Sequence, residues 1–378
     1  MTTKLALLFE RLQLPRDLPR VDSAEPPLAS VLQTLLGDAA CAEDGQLSVF
    51  VGSREGRAVL LVPCLDQSVK LPLRIGEKII WAQRLPGMRL PPAAQEGVRS
   101  VPDALALLAR LRVAAPGRAL VLSDVAVDSP LYQGVMQAEE LGYVLTKNEP
   151  DTHLFHSFGE SYEEFFQERS SKQRNQLRKK EKVFAERFGA AFELREYRQA
   201  HQVQEFLNAA KVINRKTYQY HMFGERIDND ERSVAAARRV AEAGCFRSFV
   251  LWHGAVPLCF ILGHQRTDGT YDHRYTGFDP DYRDAAPGIY CNILLLQRLY
   301  AVDRPRVLDF GSGDAEYKRL FSNLSRVTAS PVLLPRHWRF QLASALYEVS
   351  AALNKRAVLL LERLGVKGWL KRWLRSSV

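Results

Sequence analysis

Alternation of apolar and polar residues predicts an antiparallel meander in the second half of the chain. Three β-branched and aromatic runs, FRSFVLW, AVPLCFILGHQ and TYDHRYTGFD, are separated by turn residues at 253–254 and 267–269. Behind them, apolar residues recur with helical spacing from 289 to 302, and the Pro-Gly pair at 287–288 is typical of a helix start. The strand RVLDF, the turn GSGD and the short helix AEYKRLF follow.

Patterns upstream of this block extend the order of elements. AAFELREY alternates like a strand, whereas AHQVQEFLNAAKVINRKTY and ERSVAAARRVAEAG repeat apolar residues at intervals of three and four, as amphipathic helices do. SYEEFFQERSSKQRNQLRKKEKVFAERFG is predicted as one long charged helix, and LSRVTASPVLLP as a further strand. The first half shows similar strand and helix patterns less clearly, with a hairpin at 52–56, a helix near 103–111 and the strand ALVLSDVAV. The fold class is therefore α/β with mixed sheets.

The excess of positive charge is concentrated at the C-terminus. Residues 336–378 contain nine Lys or Arg and two acids, which is +7 of the formal +9, so the first 335 residues carry +2. A polyanion groove across the whole protein is therefore not indicated. Three of the five tryptophans also lie after residue 335. Basic amphipathic helices with tryptophan often lie on anionic lipid, so we expect residues 340–375 to contact a membrane surface. The alternative is a helix docked on its own protein.

The five cysteines are scattered, with no C-x-x-C pair and no histidine at metal-ligand spacing, so neither a metal site nor a disulfide framework is predicted. A reducing cytoplasm fits this pattern best. The N-terminus lacks the apolar run of a signal peptide, and no uncharged apolar run reaches the roughly 18 residues of a membrane span. We expect a cytoplasmic protein, peripheral on the inner membrane face through its tail.

The stretch VLDFGSGDAEYKRLFSN at 307–323 raises a different possibility, since a strand ending in Asp-x-Gly-x-Gly begins many S-adenosylmethionine enzymes. Such a strand opens a seven-stranded sheet, with more than a hundred residues after it. Here 65 residues follow Gly313, mostly basic helix, and Asp314 and Ala315 stand where a third glycine would be needed. The stretch is predicted instead as a buried strand followed by a glycine turn.

The element order resembles the GNAT acyltransferase fold. More closely, YTGFDPDYRDAAPGIYCNILLLQ, followed by VLDFGSGDAEYKRLFSN, resembles the signature block of the Fem-type and CelD (BcsL)-type branch of that superfamily, and SSKQRNQLRKKEKVFAERFG resembles its basic helix. The resemblance covers 161–334. It implies a degenerate GNAT-like lobe at 1–155 and a catalytic GNAT-like lobe at 156–335. The charge pattern adds a basic amphipathic tail at 336–378.

The resemblance also implies a reaction. Acyl-CoA would serve as co-substrate, with no tightly bound cofactor, and the acyl group would pass to an amine of a cell-envelope glycan or lipid precursor. Two alternatives stay open. One is Fem-type transfer from aminoacyl-tRNA to a peptidoglycan precursor, against which the near-neutral first 335 residues weigh mildly. The other is a non-catalytic GNAT-like component of an exopolysaccharide synthesis complex, which an imperfect pyrophosphate loop favours.

Cofactor-binding residues follow from the resemblance. GNAT enzymes hold the pyrophosphate of coenzyme A on backbone N–H groups at a helix start, where the helix dipole favours an anion. Their motif, Gln/Arg-x-x-Gly-x-Gly/Ala, is matched here by Arg283, Ala286 and Gly288, followed by Ile289. Ala replaces the first glycine, and Pro287 removes one donor.

Catalytic candidates lie on the strands and the helix around this motif. Tyr317 stands where many GNAT enzymes keep an acid tyrosine, and Lys318 completes the Tyr-Lys pair of the branch. Asp309 follows apolar strand residues, so its carboxylate must be paired or functional. His273 is a candidate base because imidazole titrates near neutral pH, and Asp272 is its rival.

Substrate-binding candidates form a basic cluster near the start of the charged helix, together with a tyrosine of the meander. They are Lys172, Arg174, Arg178 and Tyr275. Such a cluster is either a solvated helix face or a grip on the phosphates of donor or acceptor.

Overall fold

The structure is a computed structural model that describes residues 8–13, 47–54, 57–75, 78–92, 98–266 and 268–363. The chain divides into two compact units, one formed by Met1–Asp151 with Val327–Val378 and the other by Thr152–Arg326. In the described residues each unit contains antiparallel strands and a parallel strand pair, so the predicted class with mixed sheets is confirmed. Cys41 and the basic residues after 363, including Trp369 and Trp373, lie outside the described residues.

The secondary structure follows in chain order. The strands are β1 (Leu8–Gln13), β2 (Leu47–Arg54), β3 (Arg57–Asp66), β4 (Val69–Ile75), β5 (Lys78–Leu85), β6 (Gly87–Leu90), β7 (Ala119–Leu122), β8 (Val125–Ala126), β9 (Tyr143–Lys147), β10 (Pro150–Ser157), β11 (Phe192–Tyr197), β12 (Ser248–His253), β13 (Val256–Gln265), β14 (Thr270–Phe278), β15 (Val307–Ser312), β16 (Leu324–Ala329) and β17 (Val332–Pro335). The α-helices are α1 (Val101–Ala114), α2 (Pro130–Met136), α3 (Tyr162–Glu168), α4 (Ser171–Phe188), α5 (Val203–Asn214), α6 (Tyr218–Phe223), α7 (Glu231–Glu242), α8 (Pro287–Ala301), α9 (Glu316–Phe321) and α10 (Trp338–Arg363).

The first unit is built on a sheet with the order β1-β2-β3-β6-β7-β17-β9. Helix α1 begins at Ser100, whose side chain accepts a hydrogen bond from the N–H of Asp103, and it buries Leu107 and Leu111 in the core beside the sheet. The predicted helix near 103–111 and the hairpin between β2 and β3 are therefore confirmed. The predicted strand ALVLSDVAV is divided into β7 and β8, because Asp124 between them has a positive φ of 48°.

The hairpin of β4 and β5 and the C-terminal helix share a second core of the first unit. Phe340, Ala343 and Tyr347 of α10 are buried in one cluster with Val69 and Leu71 of β4. The described part of the tail therefore groups with the first unit. The tail at 336–378 as a separate part of the chain stays a prediction, since its residues after 363 lie outside the described part of the chain.

The second unit is built on the strand order β11-β12-β13-β14-β15-β10. Strands β11 to β14 are antiparallel neighbours, as predicted for the meander, whereas β15 is parallel to β14. Helix α8 packs on this sheet, with Cys291, Leu295 and Leu299 buried in the same cluster as Cys259 and Ile261 of β13. Its start at Pro287 is where the sequence predicts it.

Two expectations about this half are wrong. The charged segment is not one helix but two, α3 and α4, because Arg169 is extended and Ser170 with Gln173 forms a capping box that starts a new helix. The segment LSRVTASPVLLP forms two strands, β16 and β17, which are interrupted at Ser330-Pro331. Proline has no N–H for a strand ladder, which accounts for the interruption.

Candidate active site

The parallel strands β14 and β15 pair over only three residues each, 270–272 with 307–309. Pairing ends there, although β14 runs on to Phe278 and β15 to Ser312. At the same point β14 carries one extra residue relative to β13, since Leu262 pairs with Tyr275 whereas the adjacent Gly263 pairs with His273. A bulge of this kind bends a strand and is common next to active sites. The two strands therefore diverge, and we call the opening between them the β14–β15 gap.

His273 is the first residue of β14 beyond the paired stretch. Its side chain is 5% exposed, and its ring lies 5.5 Å from that of Phe310 and 6.3 Å from that of Tyr317, measured between centroids. Among the described residues, its Nε2 meets no hydrogen-bond partner at ordinary distance and angle, and neither does Oδ1 of Asn292, although the Asn292 side chain lies close enough to favour a protonated His273. Buried polar atoms without partners are uncommon, so this part of the gap is suited to a polar ligand.

The protonation of His273 follows from its burial. Desolvation, with a smaller contribution from the charge of Lys318, lowers its pKa from 6.5 to about 4, against opposing hydrogen bonds and the charge of Asp309. The imidazole is therefore neutral near pH 7. A group with this pKa is a weak base, so the structure does not favour proton removal by His273.

Tyr317 belongs to α9 and lies near His273 of β14. Its ring packs edge-on against Phe310 at a centroid distance of 6.4 Å and is partly buried. Burial, with a smaller contribution from Cys259, raises its pKa to about 12. The phenol therefore keeps its proton at neutral pH and is available as a donor to negative charge that develops during a reaction.

Lys318 faces the turn that follows β15. Its ammonium donates to the carbonyl oxygens of Gly311 and Ser312, at 3.3 and 2.8 Å. Gly311 has a φ of +74°, a conformation that favours glycine. The sequence suggests a phosphate or an oxyanion as the partner of Lys318, whereas the structure places its ammonium on backbone carbonyls that hold the turn.

Asp309 is paired with a histidine that the sequence reasoning missed. Its Oδ1 lies 2.5 Å from Nε2 of His153 on β10 and accepts the N–H of Gly311 at 2.7 Å. Burial by itself would raise the pKa of Asp309, but the hydrogen bond and charge of His153, the N–H of Gly311 and the charge of Arg266 outweigh it and lower the pKa. Asp309 is therefore an ionised anchor for both His153 and the turn. Asp272, the rival of His273 as candidate base, lies 3.5 Å from the guanidinium of Arg266.

The start of α8 offers few free amides to an anion. Ala286 is in the left-handed region with a φ of 53°, and its carbonyl accepts the N–H groups of Ile289 and Tyr290 at 3.1 and 3.2 Å. The N–H of Ala286 itself donates to the carbonyl of Arg283 at 3.0 Å, and Pro287 has none. Gly288 is left as the candidate donor. A Cβ at Gly288 would lie 3.1 Å from Cδ1 of Phe278, so this backbone is also closely covered.

The basic residues of α4 have several different environments. Arg174 donates to the carbonyls of Gln167 and Arg169, at 2.9 and 2.7 Å, and so closes the end of α3. The guanidinium of Arg178 lies over the ring of Phe166 at 5.2 Å, and Lys172 is exposed. The structure thus uses Arg174 and Arg178 within the fold rather than collecting them with Lys172 in one site.

Two further hydrogen bonds show where α4 and Tyr275 lie in the second unit. Nε2 of Gln176 on α4 lies 3.3 Å from Oε1 of Glu316, the residue before Tyr317, so α4 runs beside the helix that carries the candidate acid. Tyr275 accepts a hydrogen bond from Nδ2 of Asn214 at 2.8 Å, and burial, with the nearby Glu225, raises its pKa to about 12. Among the described residues, no group of three or more His, Cys, Asp or Glu side chains could hold a metal ion.

Comparison with known families decides the classification. A profile described as acetyltransferase (GNAT) domain matches residues 171–319, a range that includes the meander, the gap and Tyr317. Residues 171–319 therefore form a domain of the GNAT superfamily. This domain supports classification of the protein as a transferase. No curated protein sequence matches the chain significantly.

Solved structures extend the likeness beyond the GNAT domain. FemX has a TM-score of 0.56 and 10% identity, with 89% of this chain and 100% of FemX covered. A conserved protein of unknown function from Bacteroides thetaiotaomicron VPI-5482 has a TM-score of 0.51 and 14% identity, with 79% and 90% covered. At these identities the likeness concerns the fold alone. It supports the predicted two-lobed, Fem-like architecture.

Proposed function

We propose that this GNAT protein transfers an acyl group from an acyl-CoA thioester to an amine of a cell-envelope glycan or lipid precursor, with no tightly bound cofactor. The observation that carries the proposal is the β14–β15 gap, in which the unpartnered Nε2 of His273 lies beside a protonated Tyr317. An extended thioester arm laid between two diverging strands would reach both side chains. The matched GNAT domain supports an acyl donor of this kind.

In the proposed reaction the amine nitrogen attacks the thioester carbonyl carbon. A C–N bond forms, the C–S bond breaks, and the leaving thiolate takes the proton of Tyr317, which solvent then restores. The proton lost by the amine passes to water. His273 stays neutral and orients the reacting group through Nε2, because its low pKa makes it a poor proton acceptor.

Supporting roles fall to residues that contact the turn after β15. Lys318 holds the carbonyls of Gly311 and Ser312, and Asp309 holds the N–H of Gly311. Together they fix the backbone from which α9 and Tyr317 start. A misplacement of about 1 Å in such a position can cost a hundredfold in rate.

A second candidate function is favoured by the start of α8. Because the amides of Ala286, Ile289 and Tyr290 are engaged, a pyrophosphate would be gripped weakly there. A donor without that group, such as the aminoacyl-tRNA of Fem-type enzymes, or a non-catalytic role in a polysaccharide synthesis complex, would not need this grip.

We further propose that the enzyme works at the inner membrane face, where lipid-linked envelope precursors are presented. The charge of +7 over residues 336–378 supports this location. Among the described residues, no helix is both long enough and apolar enough to cross a bilayer.

Calorimetric titration of the full chain would test the reaction class. We expect acetyl-CoA or a longer acyl-CoA to bind with micromolar affinity, and S-adenosylmethionine not to bind. Replacement of Phe310 by Trp, which narrows the gap between His273 and Tyr317, should weaken this binding, whereas Val256→Trp at the exposed start of β13 should not. If the protein binds an aminoacyl-tRNA and does not bind any acyl-CoA, the Fem-type alternative is supported and the proposal is overturned.

A further inference from the structure

Helix α10 exposes a stripe of large apolar side chains. Trp338, Leu342, Leu346, Val349 and Leu353 are between 47% and 66% exposed. Their spacing of four, four, three and four residues places them on one side of the helix. We call these five residues the α10 stripe. Contiguous exposed apolar surface of this kind marks an interaction site.

The stripe is not the face that holds α10 on the first unit. That face carries Phe340, Ala343 and Tyr347, which are buried against Val69 and Leu71 of β4. At about 100° per residue, the centres of the two faces lie roughly 130° apart around the helix. Docking on the protein's own core therefore explains one side of α10 and leaves the apolar character of the other side unexplained.

A second exposed tryptophan belongs to the same part of the first unit. Trp81 of β5 is 53% exposed and pairs with Leu73 of β4. Cross-strand partners share a face, and residues two apart along a strand do so too, so Trp81 lies on the side of the hairpin that carries Val69 and Leu71. That is the side on which α10 packs.

Positive charge accompanies the stripe. The guanidinium of Arg339 lies 5.8 Å from the centroid of the Trp338 ring, and Arg356, 18 residues after Trp338, lies in line with it after five full turns. Both arginines are exposed. Glu348, in contrast, lies away from the stripe and accepts a hydrogen bond from Ser344 at 3.2 Å. Cations with tryptophan beside an apolar stripe match an anionic lipid interface, with acyl chains below and phosphates above.

We propose that the α10 stripe, together with the exposed Trp81 of the same unit, seats the first unit on the surface of an anionic lipid bilayer, with Arg339 and Arg356 at the level of the headgroups. The net charge of the segment favours lipid over a second copy of the chain, because two copies would bring two +7 segments together. The inference rests on the proposed function for the membrane location. It shares no residue with the β14–β15 gap, so either can fail alone.

Co-sedimentation of the full chain with vesicles tests this surface. One set of vesicles holds equal parts of phosphatidylglycerol and phosphatidylcholine, and the other holds phosphatidylcholine alone. The test variant is Leu346→Glu with Leu353→Glu. The matched control is Val212→Glu with Val256→Glu, which replaces two exposed apolar residues of the second unit and adds the same charge.

We expect the unchanged protein to bind the anionic vesicles, and to bind them less as salt rises. The test variant should lose more than about tenfold in binding, since each leucine would otherwise be buried in the interface. The control variant should keep most of its binding to anionic vesicles. Melting temperatures of all three proteins should agree, because the substituted positions are exposed.

Three outcomes would overturn the inference. They are failure of the unchanged protein to bind anionic vesicles at low salt, equal loss of binding in both variants, and conversion of a dimer to a monomer by the test variant in sedimentation velocity without lipid. The last outcome would assign the stripe to a second copy of the chain. Acyl-CoA titrations of the same proteins without vesicles should be indistinguishable, so a failed lipid test leaves the proposed reaction standing.

Discussion

Two ends of the candidate site, one at His273 beyond the paired stretch of β14 and one at the start of α8, differ in how many of their polar groups are already bonded within the fold. Near the paired stretch, His273 has a buried nitrogen without a partner and Tyr317 holds its proton at neutral pH. At the start of α8, by contrast, the backbone donors of Ala286 and Ile289 are engaged and Pro287 has none. The first end is prepared for a ligand, whereas the second has satisfied most of its groups internally. Under the proposed function, the difference would mean that proton donation at the reacting atom depends less on internal contacts than the grip on pyrophosphate does.

The largest effect should come from removing the proton donor at the first end. Tyr317→Phe deletes the hydroxyl and keeps the ring that packs on Phe310, so we expect kcat to fall about a hundredfold, or ~3 kcal/mol, with donor affinity unchanged. The measurement is steady-state acyl transfer beside calorimetric donor binding. Tyr162→Phe is the matched control, since this tyrosine is partly buried in the same core but lies on α3, and it should keep full activity. Full turnover by Tyr317→Phe would refute the assignment of Tyr317 as proton donor.

Asp309→Asn tests the anchor beneath the first end. The substitution keeps the shape but removes the charge that faces His153, so we expect a loss of about 2 kcal/mol in the free energy of unfolding at pH 7, measured by urea denaturation. The folded pKa of Asp309 is lowered, so the stabilisation is present above its ordinary pKa and is lost as pH falls through the folded value. The variant should therefore lose less stability than the wild type in acid. Asp314→Asn removes an exposed partner of Arg319 and should change stability by less than about 0.5 kcal/mol. Equal stability of Asp309→Asn and the wild type at pH 7 would contradict the pairing.

His273→Gln tests whether the buried imidazole is neutral. A folded pKa of about 4 against an ordinary 6.5 means that the unfolded chain binds more protons between these values, so the wild type should lose stability as pH falls from 6.5 to 4. Glutamine does not titrate, so the variant should show a shallower slope in the same window. Exposed His201→Gln is the control and should leave the slope unchanged. Identical slopes for all three proteins would show that His273 is not held neutral by burial.

Elements with a local pattern could be predicted from the sequence. The meander and the start of α8 rest on turn residues and spacing within a few positions, and both were confirmed. The break between α3 and α4 could also have been predicted from the sequence, because Ser170 and Gln173 form the capping-box signature. The run of charged residues around this signature led to the prediction of one helix.

Features that depend on distant partners could not be predicted. His153 reaches Asp309 because β10 pairs with β15 across 156 positions, and no short-range pattern in either strand specifies that pairing. The bulge at Arg274 depends in the same way on the register between β13 and β14. The docked face of α10 depends on β4, more than 260 residues away, so composition could report the charge of the tail but not its position.

Lys318→Met should have an intermediate effect, because it acts through the turn and not on the reacting atoms. Loss of its two hydrogen bonds to Gly311 and Ser312 should loosen the start of α9 and lower kcat about tenfold, with little change in the KM for the donor. Lys318→Arg should restore part of the rate, since a guanidinium can reach the same carbonyls. The neighbouring Arg319→Met removes an exposed ion pair and should be silent. A rise in KM with kcat unchanged would instead show that Lys318 binds the donor directly.

The smallest expected effect comes from adding a free backbone N–H at the start of α8. This substitution tests the comparison most directly, because it gives the second end an unbonded donor. Pro287→Ala adds an N–H beside that of Gly288, at a helix start where the dipole favours an anion. If the pyrophosphate of the donor lies there, the new hydrogen bond should tighten acyl-CoA binding by about fivefold, or ~1 kcal/mol, and the gain should shrink as salt rises. Ala286→Gly is the matched control, since it relieves a left-handed φ of 53° and should raise the melting temperature without adding a donor. Unchanged affinity in Pro287→Ala, together with the expected stabilisation in Ala286→Gly, would mean that no phosphate lies at the start of α8. The acyl group would then have to be presented at His273 and Tyr317 by a carrier held elsewhere, which is the outcome that favours the Fem-type alternative.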